Sequence, residues 1–307
     1  SPHGYAMRPS EARALQSADL VIWVGPELTP WLAGPLDSIA AGAARLELLE
    51  VEGITRLEFR AGASFAPHDH ADHADHADHS DHAGHGDHAD HADHADHADH
   101  HHDDDHAHHD GHDDHGDHGD HGDHAGHDDH ADHAHDGIDP HAWLDPVNAA
   151  IWLEAIAERL SEIDPANAAS YAANAALAAA DLETLQRDIA ARMANLEGDF
   201  VVFHDAYHYF EARFDIEAAG AISLSDATVP GPARVAEIRD LVADQGIACV
   251  FVEPQFNRGI VDAVFGGTDV RIGVIDPLGA TLTVGPTLYS DLIEAMATSF
   301  DTCLAQD

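Results

Sequence analysis

The stretch Phe200-Val-Val-Phe-His204 and the segment after it, residues 205–214, decide the fold. A short apolar run predicts a buried strand, and the amphipathic segment that follows predicts a helix. The alternation continues along the chain, with strands expected at 219–224, 248–253 and 270–276 and helices at 230–245, 258–265 and 288–304. Strands that alternate with helices at this spacing predict an α/β fold whose parallel sheet is covered on both faces.

Two polar side chains stand at the ends of these predicted strands. His204 ends the first strand and Asp276 ends the last. Ligands of open parallel sheets bind beyond the carboxyl ends of the strands. Both side chains are therefore expected on the same edge of the sheet.

The chain before this sheet predicts further α/β elements and two helices. A helix is expected at 10–17, a strand at 19–25, a helix at 27–41, a strand at 45–51, a turn at 139–146, and helices at 147–163 and 165–196. The last helix, about 30 residues at ~1.5 Å per residue, would be ~45 Å long. It is long enough to cross from one domain to another.

Residues 68–136 differ from the rest of the chain in composition. These 69 residues hold 26 of the 30 His and 23 Asp, with no branched aliphatic or aromatic side chain. They cannot bury enough apolar surface to offset chain entropy, so we expect a disordered insertion. Because imidazole is the commonest metal ligand, the tract predicts weak metal binding, with a solvated spacer as the alternative. The expected weak ligands include His68, His70, His73, His76, His79, His100, His101 and His102.

The whole chain is strongly acidic. It has 58 acidic and 13 basic residues, and a formal net charge of -45. This balance argues against a nucleic-acid partner, because such a protein must neutralise phosphates with Lys or Arg. It also disfavours docking on an anionic membrane, and no apolar run approaches the ~18 residues that span a bilayer.

Four histidines lie outside the tract: His3, His141, His204 and His208. The first three sit at predicted element ends rather than on apolar faces, so each can project into a cleft. Taken singly, each would more often be structural or exposed than a ligand. Asp276 precedes a proline and, taken alone, would likewise more often be a turn residue than a ligand.

Seven short segments that contain these residues occur in a characteristic order. They are Pro2-His-Gly-Tyr5, Arg8-Pro-Ser10, Ala18-Asp-Leu-Val-Ile-Trp-Val-Gly25, Asp139-Pro-His-Ala-Trp-Leu-Asp145, Phe203-His-Asp-Ala-Tyr207, Val252-Glu-Pro-Gln-Phe256 and Asp276-Pro-Leu-Gly279. Taken together, they resemble the ZnuA-like group of the metal-specific solute-binding proteins. The resemblance covers nearly the whole chain outside the tract, and an acidic, His-rich insertion is itself typical of the zinc members.

The resemblance implies two Rossmann-like lobes with parallel sheets, joined by a long rigid helix, with a metal ion held between the lobes. The boundaries expected on this basis are 1–146 for the N-terminal lobe, including the insertion at 68–136, 147–196 for the helical connection, and 197–307 for the C-terminal lobe. Relatives have a strand, a helix and another strand before the first ligand. We therefore expect the N-terminal lobe to be truncated.

The resemblance also implies the metal ligands. His3, His141 and His204 match the three imidazole ligands, and Asp276 matches the carboxylate that is the fourth ligand in many relatives. In some zinc members a Glu beside the first His, or a water, fills that position. Pro2 stands there in this chain, so Asp276 and water both remain open. Three neutral imidazoles and one oxygen independently suit tetrahedral Zn²⁺ and favour it over Mn²⁺.

We also make predictions for three side chains close to these ligands. Asp139 and Asp205 lie close in sequence to ligands and could orient their rings. His208 matches no family ligand, and we expect it to be an exposed helix residue. The alternatives are a group that supports a ligand from behind and a ligand at which zinc enters.

The chain has two cysteines, Cys249 and Cys303. The ZnuA-like group has a disulfide at the corresponding places, which would fit an oxidising periplasm. The alternative is two buried thiols.

The expected function is a periplasmic, monomeric receptor that delivers Zn²⁺ to the membrane permease of an ABC importer. A periplasmic zinc chaperone is a further expected partner, and the tract would gather or sense additional zinc. An enzyme is not expected, because no HExxH motif or base of defined spacing is present. The alternatives are a manganese or iron receptor, a metal-buffering protein that acts through the tract, and a zinc hydrolase that activates water at an open position.

Overall fold

The computed structural model describes residues 2–60, 62, 64–65, 137–223, 231–255, 259, 261 and 265–305. Residues 1–67 and 132–307 form one compact unit. The His/Asp tract with its expected weak ligands lies outside the described residues, as does most of the helix predicted at 258–265. No helix in the described ranges is long and apolar enough to cross a membrane.

The described part before the tract holds a two-stranded parallel sheet and two helices. In chain order these elements are α1 Pro9–Gln16, β1 Leu20–Trp23, α2 Ala33–Ser38 and β2 Ala44–Glu47. Helix α2 is shorter than the prediction for residues 27–41. Pro30 is the reason, because a proline restricts the residue before it to extended backbone. Thr29 is accordingly non-helical, and a 3₁₀ turn, Pro30–Leu32, precedes α2.

Two long helices follow the tract, as the sequence predicts. Helix α3, Pro146–Ile163, is capped at its N-terminus by Asp145, whose side chain accepts a hydrogen bond from the Val147 N–H at 2.8 Å. Helix α4, Ala168–Met193, has 26 residues and is therefore ~39 Å long. Buried Leu182, Ile189 and Met193 face the core.

The C-terminal part is a four-stranded parallel sheet in the order β4-β3-β5-β6. Its elements are β3 Phe200–His204, α5 His208–Phe214, β4 Gly220–Ser223, α6 Pro232–Gln245, β5 Cys249–Val252, β6 Arg271–Val274 and α7 Leu288–Leu304. Helix α5 begins three residues later than predicted. The Asp205 N–H donates to the Ser223 carbonyl at 3.1 Å, so the chain still continues the sheet at that point.

Successive side chains of β3 point to opposite faces of the sheet, and both faces are buried. Phe200 and Val202 belong to the apolar cluster under α4 and α7. Val201 and Phe203 belong to a second cluster, which includes Ile238 of α6. A run that is apolar on both faces is typical of strands in parallel sheets, so the α/β fold predicted from this stretch is confirmed.

Cys249 and Cys303 form a disulfide that joins the start of β5 to the last turn of α7. Both residues are buried in the C-terminal core. The disulfide implied by the resemblance is therefore present, and the alternative of two thiols was wrong.

Candidate metal centre

Three histidines from distant parts of the chain converge on one point. His3, His141 and His204 each offer a ring nitrogen, and these three atoms lie within 4.8 Å of one another. Their ring centroids are 5.6 Å apart for His3–His141, 6.2 Å for His3–His204 and 5.0 Å for His141–His204. Among the described residues this is the only group of three or more His, Cys, Asp or Glu that could hold a metal ion.

His141 is positioned by the turn before α3. It follows Pro140 and stands just before the 3₁₀ turn Ala142–Leu144. The Asp139 carboxylate accepts a hydrogen bond from the backbone N–H of His141 at 2.9 Å and another from Nδ1 of His141 at 2.6 Å. Since Nδ1 is occupied in this way, Nε2 is the atom that can bind a metal. His141 is 3% exposed and Asp139 is 2% exposed.

His204 is the last residue of β3, and its partner comes from the neighbouring strand. Val202 of β3 pairs with Phe251 of β5 in parallel register, so Glu253 follows β5 at the level of His204. The Nδ1 atom of His204 and Oε1 of Glu253 are 3.0 Å apart. Nε2 of His204 is buried and has no hydrogen-bond partner within the described part of the chain, which leaves it available for an ion.

His3 approaches from the loop before α1. The Pro2 carbonyl beside it accepts a hydrogen bond from the Trp31 indole N–H at 2.8 Å. The ring of His3 is partly buried, whereas His141 and His204 are buried. His3 therefore completes the group from a less enclosed position.

A small cavity of about 10 Å³ lies between the rings. This is room for one small ion or one water. Besides the three histidines, its lining includes Trp143, Glu253, Pro277 and Leu278. The Trp143 indole N–H donates to the Pro277 carbonyl at 2.9 Å, so the segments after His141 and after β6 close one side of the cavity together.

Asp276 lies outside the group of converging nitrogens. Its Oδ1 accepts from the Leu278 N–H at 3.0 Å, and its Oδ2 accepts from the Ala280 N–H at 2.7 Å. The carboxylate thus caps the turn after β6, and Gly279 adopts the left-handed conformation in this turn. The described geometry brings together the three predicted imidazoles but not Asp276.

Charge around the centre comes from residues that touch the rings. Burial opposes protonation of His141, but the charge of Asp139 and its hydrogen bond outweigh this and raise the pKa of His141. Glu253, 3% exposed, places a second carboxylate behind His204. Two buried carboxylates behind neutral imidazoles favour a divalent cation between the rings.

The structure also revises the expectations for neighbouring residues. Asp139 does orient a ring, as suggested, but the described side-chain hydrogen bonds of Asp205 are with Arg60. Glu253 orients His204. This role was not predicted, although Glu253 lies in one of the seven segments named above. The expectation that His208 is exposed was wrong, because its side chain is 24% exposed with Nδ1 4.0 Å from Asp139.

A parallel α/β fold in which three imidazoles converge on a small buried cavity defines a metal-binding protein. The chain belongs to the family of the zinc-uptake complex component A, periplasmic, whose model matches residues 1–303. A relative from Paracoccus denitrificans (strain Pd 1222), 44% identical over 308 residues, is named High-affinity zinc uptake system protein ZnuA. The match covers 100% of this chain and 82% of that relative. A protein of the same name from Brucella suis biovar 1 (strain 1330) is 41% identical, over 100% of this chain and 83% of the relative.

Solved structures share the fold. A crystal structure of ZnuA aligns with a TM-score of 0.66 at 20% identity. A crystal structure of a zinc-bound ZnuA mutant, with residues 138–173 of its own numbering deleted, aligns with a TM-score of 0.66 at 19% identity. The first alignment covers 99% of this chain and 87% of the other, and the second covers 100% and 86%. At this identity the likeness supports the fold alone.

Proposed function

We propose that this protein is a high-affinity zinc receptor that binds one Zn²⁺ between two lobes and delivers it to the membrane permease of an ABC importer. The observation that carries the proposal is the convergence of three ring nitrogens within 4.8 Å. Family membership supports it, because the relatives described above are named as zinc uptake proteins. Binding and delivery make and break no covalent bond, so no enzymatic step is included.

The proposed ligands are Nε2 of His141, Nε2 of His204 and a ring nitrogen of His3. Three neutral imidazoles with one oxygen form a tetrahedral zinc site. The two hydrogen bonds that Asp276 accepts in its turn favour water in the fourth position. Asp276 would become a ligand only by giving up at least one of these bonds.

The proposed lobes are residues 1–146 and 197–307, with 147–196 as the connection between them. We place the receptor in the periplasm, where the disulfide between Cys249 and Cys303 would persist under oxidising conditions. A monomer is proposed, with a zinc chaperone as a further partner. The His/Asp tract, residues 68–136, would gather or sense additional zinc through weak sites.

Titration of zinc into the protein tests the central proposal. The unaltered protein should bind one ion tightly, and the His141→Ala/His204→Ala variant should keep only the weak binding of the tract. Replacing two histidines of the tract, His100 and His101, by Ala provides a control with the same number of changed imidazoles. Tight binding that survives in the His141→Ala/His204→Ala variant would defeat the proposal.

Deletion of residues 68–136 separates the receptor from a metal buffer. A receptor keeps its single tight site after the deletion, whereas a buffer that acts through the tract loses nearly all of its binding. Competition among Zn²⁺, Mn²⁺ and Fe²⁺ for the tight site tests the alternative cargoes. Three imidazole ligands favour zinc over manganese, which suits sites richer in oxygen.

A further inference from the structure

Helix α5 follows the ligand strand β3 and reaches into the proposed first lobe. The hydroxyl of Tyr209 accepts a hydrogen bond from the Leu57 N–H at 2.9 Å and donates one to the Asp139 carbonyl, also at 2.9 Å. Asp139 is the residue that holds the ring of His141. One side chain of α5 therefore contacts the segment that carries the other buried histidine.

A buried ion cluster lies beside this contact. Arg60 of the first lobe donates from Nη1 to Oε2 of Glu211 at 2.5 Å and from Nη2 to Oε1 at 3.1 Å. Its guanidinium also bonds Asp205, the residue after His204, with Nε 3.1 Å from Oδ1. The exposed fractions of the Arg60, Asp205 and Glu211 side chains are 12%, 5% and 2%. A planar guanidinium that serves two carboxylates holds them in a fixed geometry.

A third contact lies at the end of α5. Arg213 donates from Nε to Oδ1 of Asp145 at 2.7 Å and from Nη2 to Oδ2 at 2.6 Å. Asp145 is the residue that caps α3, four positions after His141. The bidentate pair thus ties the end of α5 to the turn that carries a proposed ligand.

The segment after Arg60 adds backbone contacts to the edge of the sheet. Ser64 forms an antiparallel bridge with Gly220, the first residue of β4. The Phe65 N–H donates to the Ala219 carbonyl at 2.9 Å. The proposed first lobe is therefore attached to the second by side chains along α5 and by backbone contacts at the edge of the sheet.

The segment that carries His3 is held by other contacts. Within the described residues, β1 pairs with β2 over four positions and Val24 packs against the core cluster. Nearer to His3, the Trp31 indole N–H donates to the Pro2 carbonyl, and the Trp31 ring lies 5.6 Å from the Tyr5 ring. The contacts of α5 are instead ion pairs and hydrogen bonds between the two proposed lobes.

We propose that α5 is an interlobe clamp, made by Tyr209, Glu211 and Arg213, that holds His141 and His204 as a preformed pair. The clamp rests on the function proposed above, and its residues are positioning residues that touch no metal. Zinc then enters and leaves without parting the two lobes at α5. The preformed pair also lowers the ordering cost of binding.

Hydrogen exchange on the full chain, with and without zinc, tests where the protein opens. The Leu57 and Phe65 amides should exchange within about twofold of the same rate in both states, because the clamp stays closed. Exchange at Leu57 and Phe65 that is tenfold faster without zinc would overturn the clamp.

Variants of the clamp test it without any metal, so this arm separates its failure from failure of the proposed function. Arg60→Gln should raise exchange at the Leu57 and Phe65 amides at least tenfold in the zinc-free protein. Glu211→Gln should act in the same direction while keeping the Arg60–Asp205 pair, which guards against loss of the fold in the first variant. Arg159→Gln, which breaks an exposed pair with Glu162 on α3, is the matched control and should change nothing.

Zinc affinity shows whether the clamp positions the two histidine rings or only stabilises the fold. Arg60→Gln should weaken zinc binding about tenfold with the stoichiometry of the tight site unchanged. Arg60→Lys should recover only part of this loss, because an ammonium cannot serve two carboxylates with a planar fork. Full affinity in a folded Arg60→Gln protein would show that the pair of rings does not depend on the clamp.

Discussion

Residues 200–214 and residues 2–24 both bring a histidine to the metal centre, but in very different ways. Every residue of β3 is buried, and so are Tyr209, Phe210, Glu211 and Phe214 of α5. No residue from 2 to 24 is buried. The ring of His204 is fixed by a strand in the middle of a parallel sheet, whereas the ring of His3 comes from a loop.

This difference indicates that the three imidazoles do not have equal tasks. His141 and His204 each bond to a buried carboxylate through Nδ1, and their rings are the closest pair. A ligand that is already oriented loses little conformational entropy when it binds an ion. We therefore expect the buried pair to supply most of the zinc affinity.

Removal of single ligands should give the largest difference between the two regions. His204→Ala should weaken zinc binding about a thousandfold, or about 4 kcal/mol, as expected for one of four ligands of a strong zinc site. His3→Ala should weaken zinc binding about a hundredfold, because the preformed pair of His141 and His204 remains. Competition against a chelator of known affinity measures both constants. A loss for His3→Ala that equals or exceeds that for His204→Ala would contradict the comparison.

Removal of the carboxylate behind His204 should have a smaller effect. Glu253→Gln should weaken zinc binding about tenfold, the lower end of the range for residues that orient a ligand, because a glutamine oxygen can still accept from Nδ1. Glu154→Gln, on an exposed position of α3, is the control and should leave the affinity unchanged. The same chelator competition measures both variants, and equal affinities for the two would rule out a role for Glu253.

The pH dependence of zinc binding should depend on Asp139. The pKa of His141 lies above its ordinary value, with burial opposing and Asp139 causing the increase. Zinc binds only the neutral ring, so affinity should begin to fall, as the pH is lowered, above the ordinary histidine pKa of ~6.5. Asp139→Asn removes the charge that raises this pKa, and the fall should then shift to lower pH. Affinities measured between pH 8 and 5 test the shift, and overlapping profiles for the two proteins would contradict it.

Loss of the disulfide should affect zinc binding least. Cys249 and Cys303 are separated by 54 residues, and in the chain-entropy model a loop of this length is worth about 4 kcal/mol of unfolding free energy. Cys249→Ala/Cys303→Ala should therefore unfold at much lower denaturant concentration. Its zinc affinity should stay within twofold while it is folded, because neither cysteine contacts the centre. A tenfold weaker affinity would show that the C-terminal core positions His204 more loosely than its strand suggests.

Much of the fold follows from the sequence because the responsible signals are local. Phe200–His204 and Leu288–Leu304 are the strand and the helix that their apolar patterns predict. The prediction for residues 27–41 was too long, because Pro30 interrupts helical backbone more strongly than the apolar periodicity favours it. Local propensity also placed the start of α5 too early, since the backbone N–H of Asp205 bonds to Ser223 in the neighbouring strand and not within a helix.

The candidate site was only partly predictable for a related reason. The three histidines could be found from motifs and element ends, and Asp139 from its closeness in sequence to His141. Glu253 is 49 residues from His204, and only the pairing of β3 with β5 brings the two side chains together. The cluster around Arg60 joins residues 145 and 151 positions apart, and no local pattern in the sequence specifies such a contact.

The pairing of β3 with β5 limits which changes of sequence length keep His204 in contact with Glu253. The two strands run in parallel, with Phe200 beside Cys249 and Val202 beside Phe251, so a shared ladder of amides fixes the height of His204 and Glu253 above the sheet. An insertion of one residue inside either strand would turn the following side chains to the opposite face. Insertions in the loops between them leave the ladder intact, so changes of length can accumulate there while the strands keep theirs.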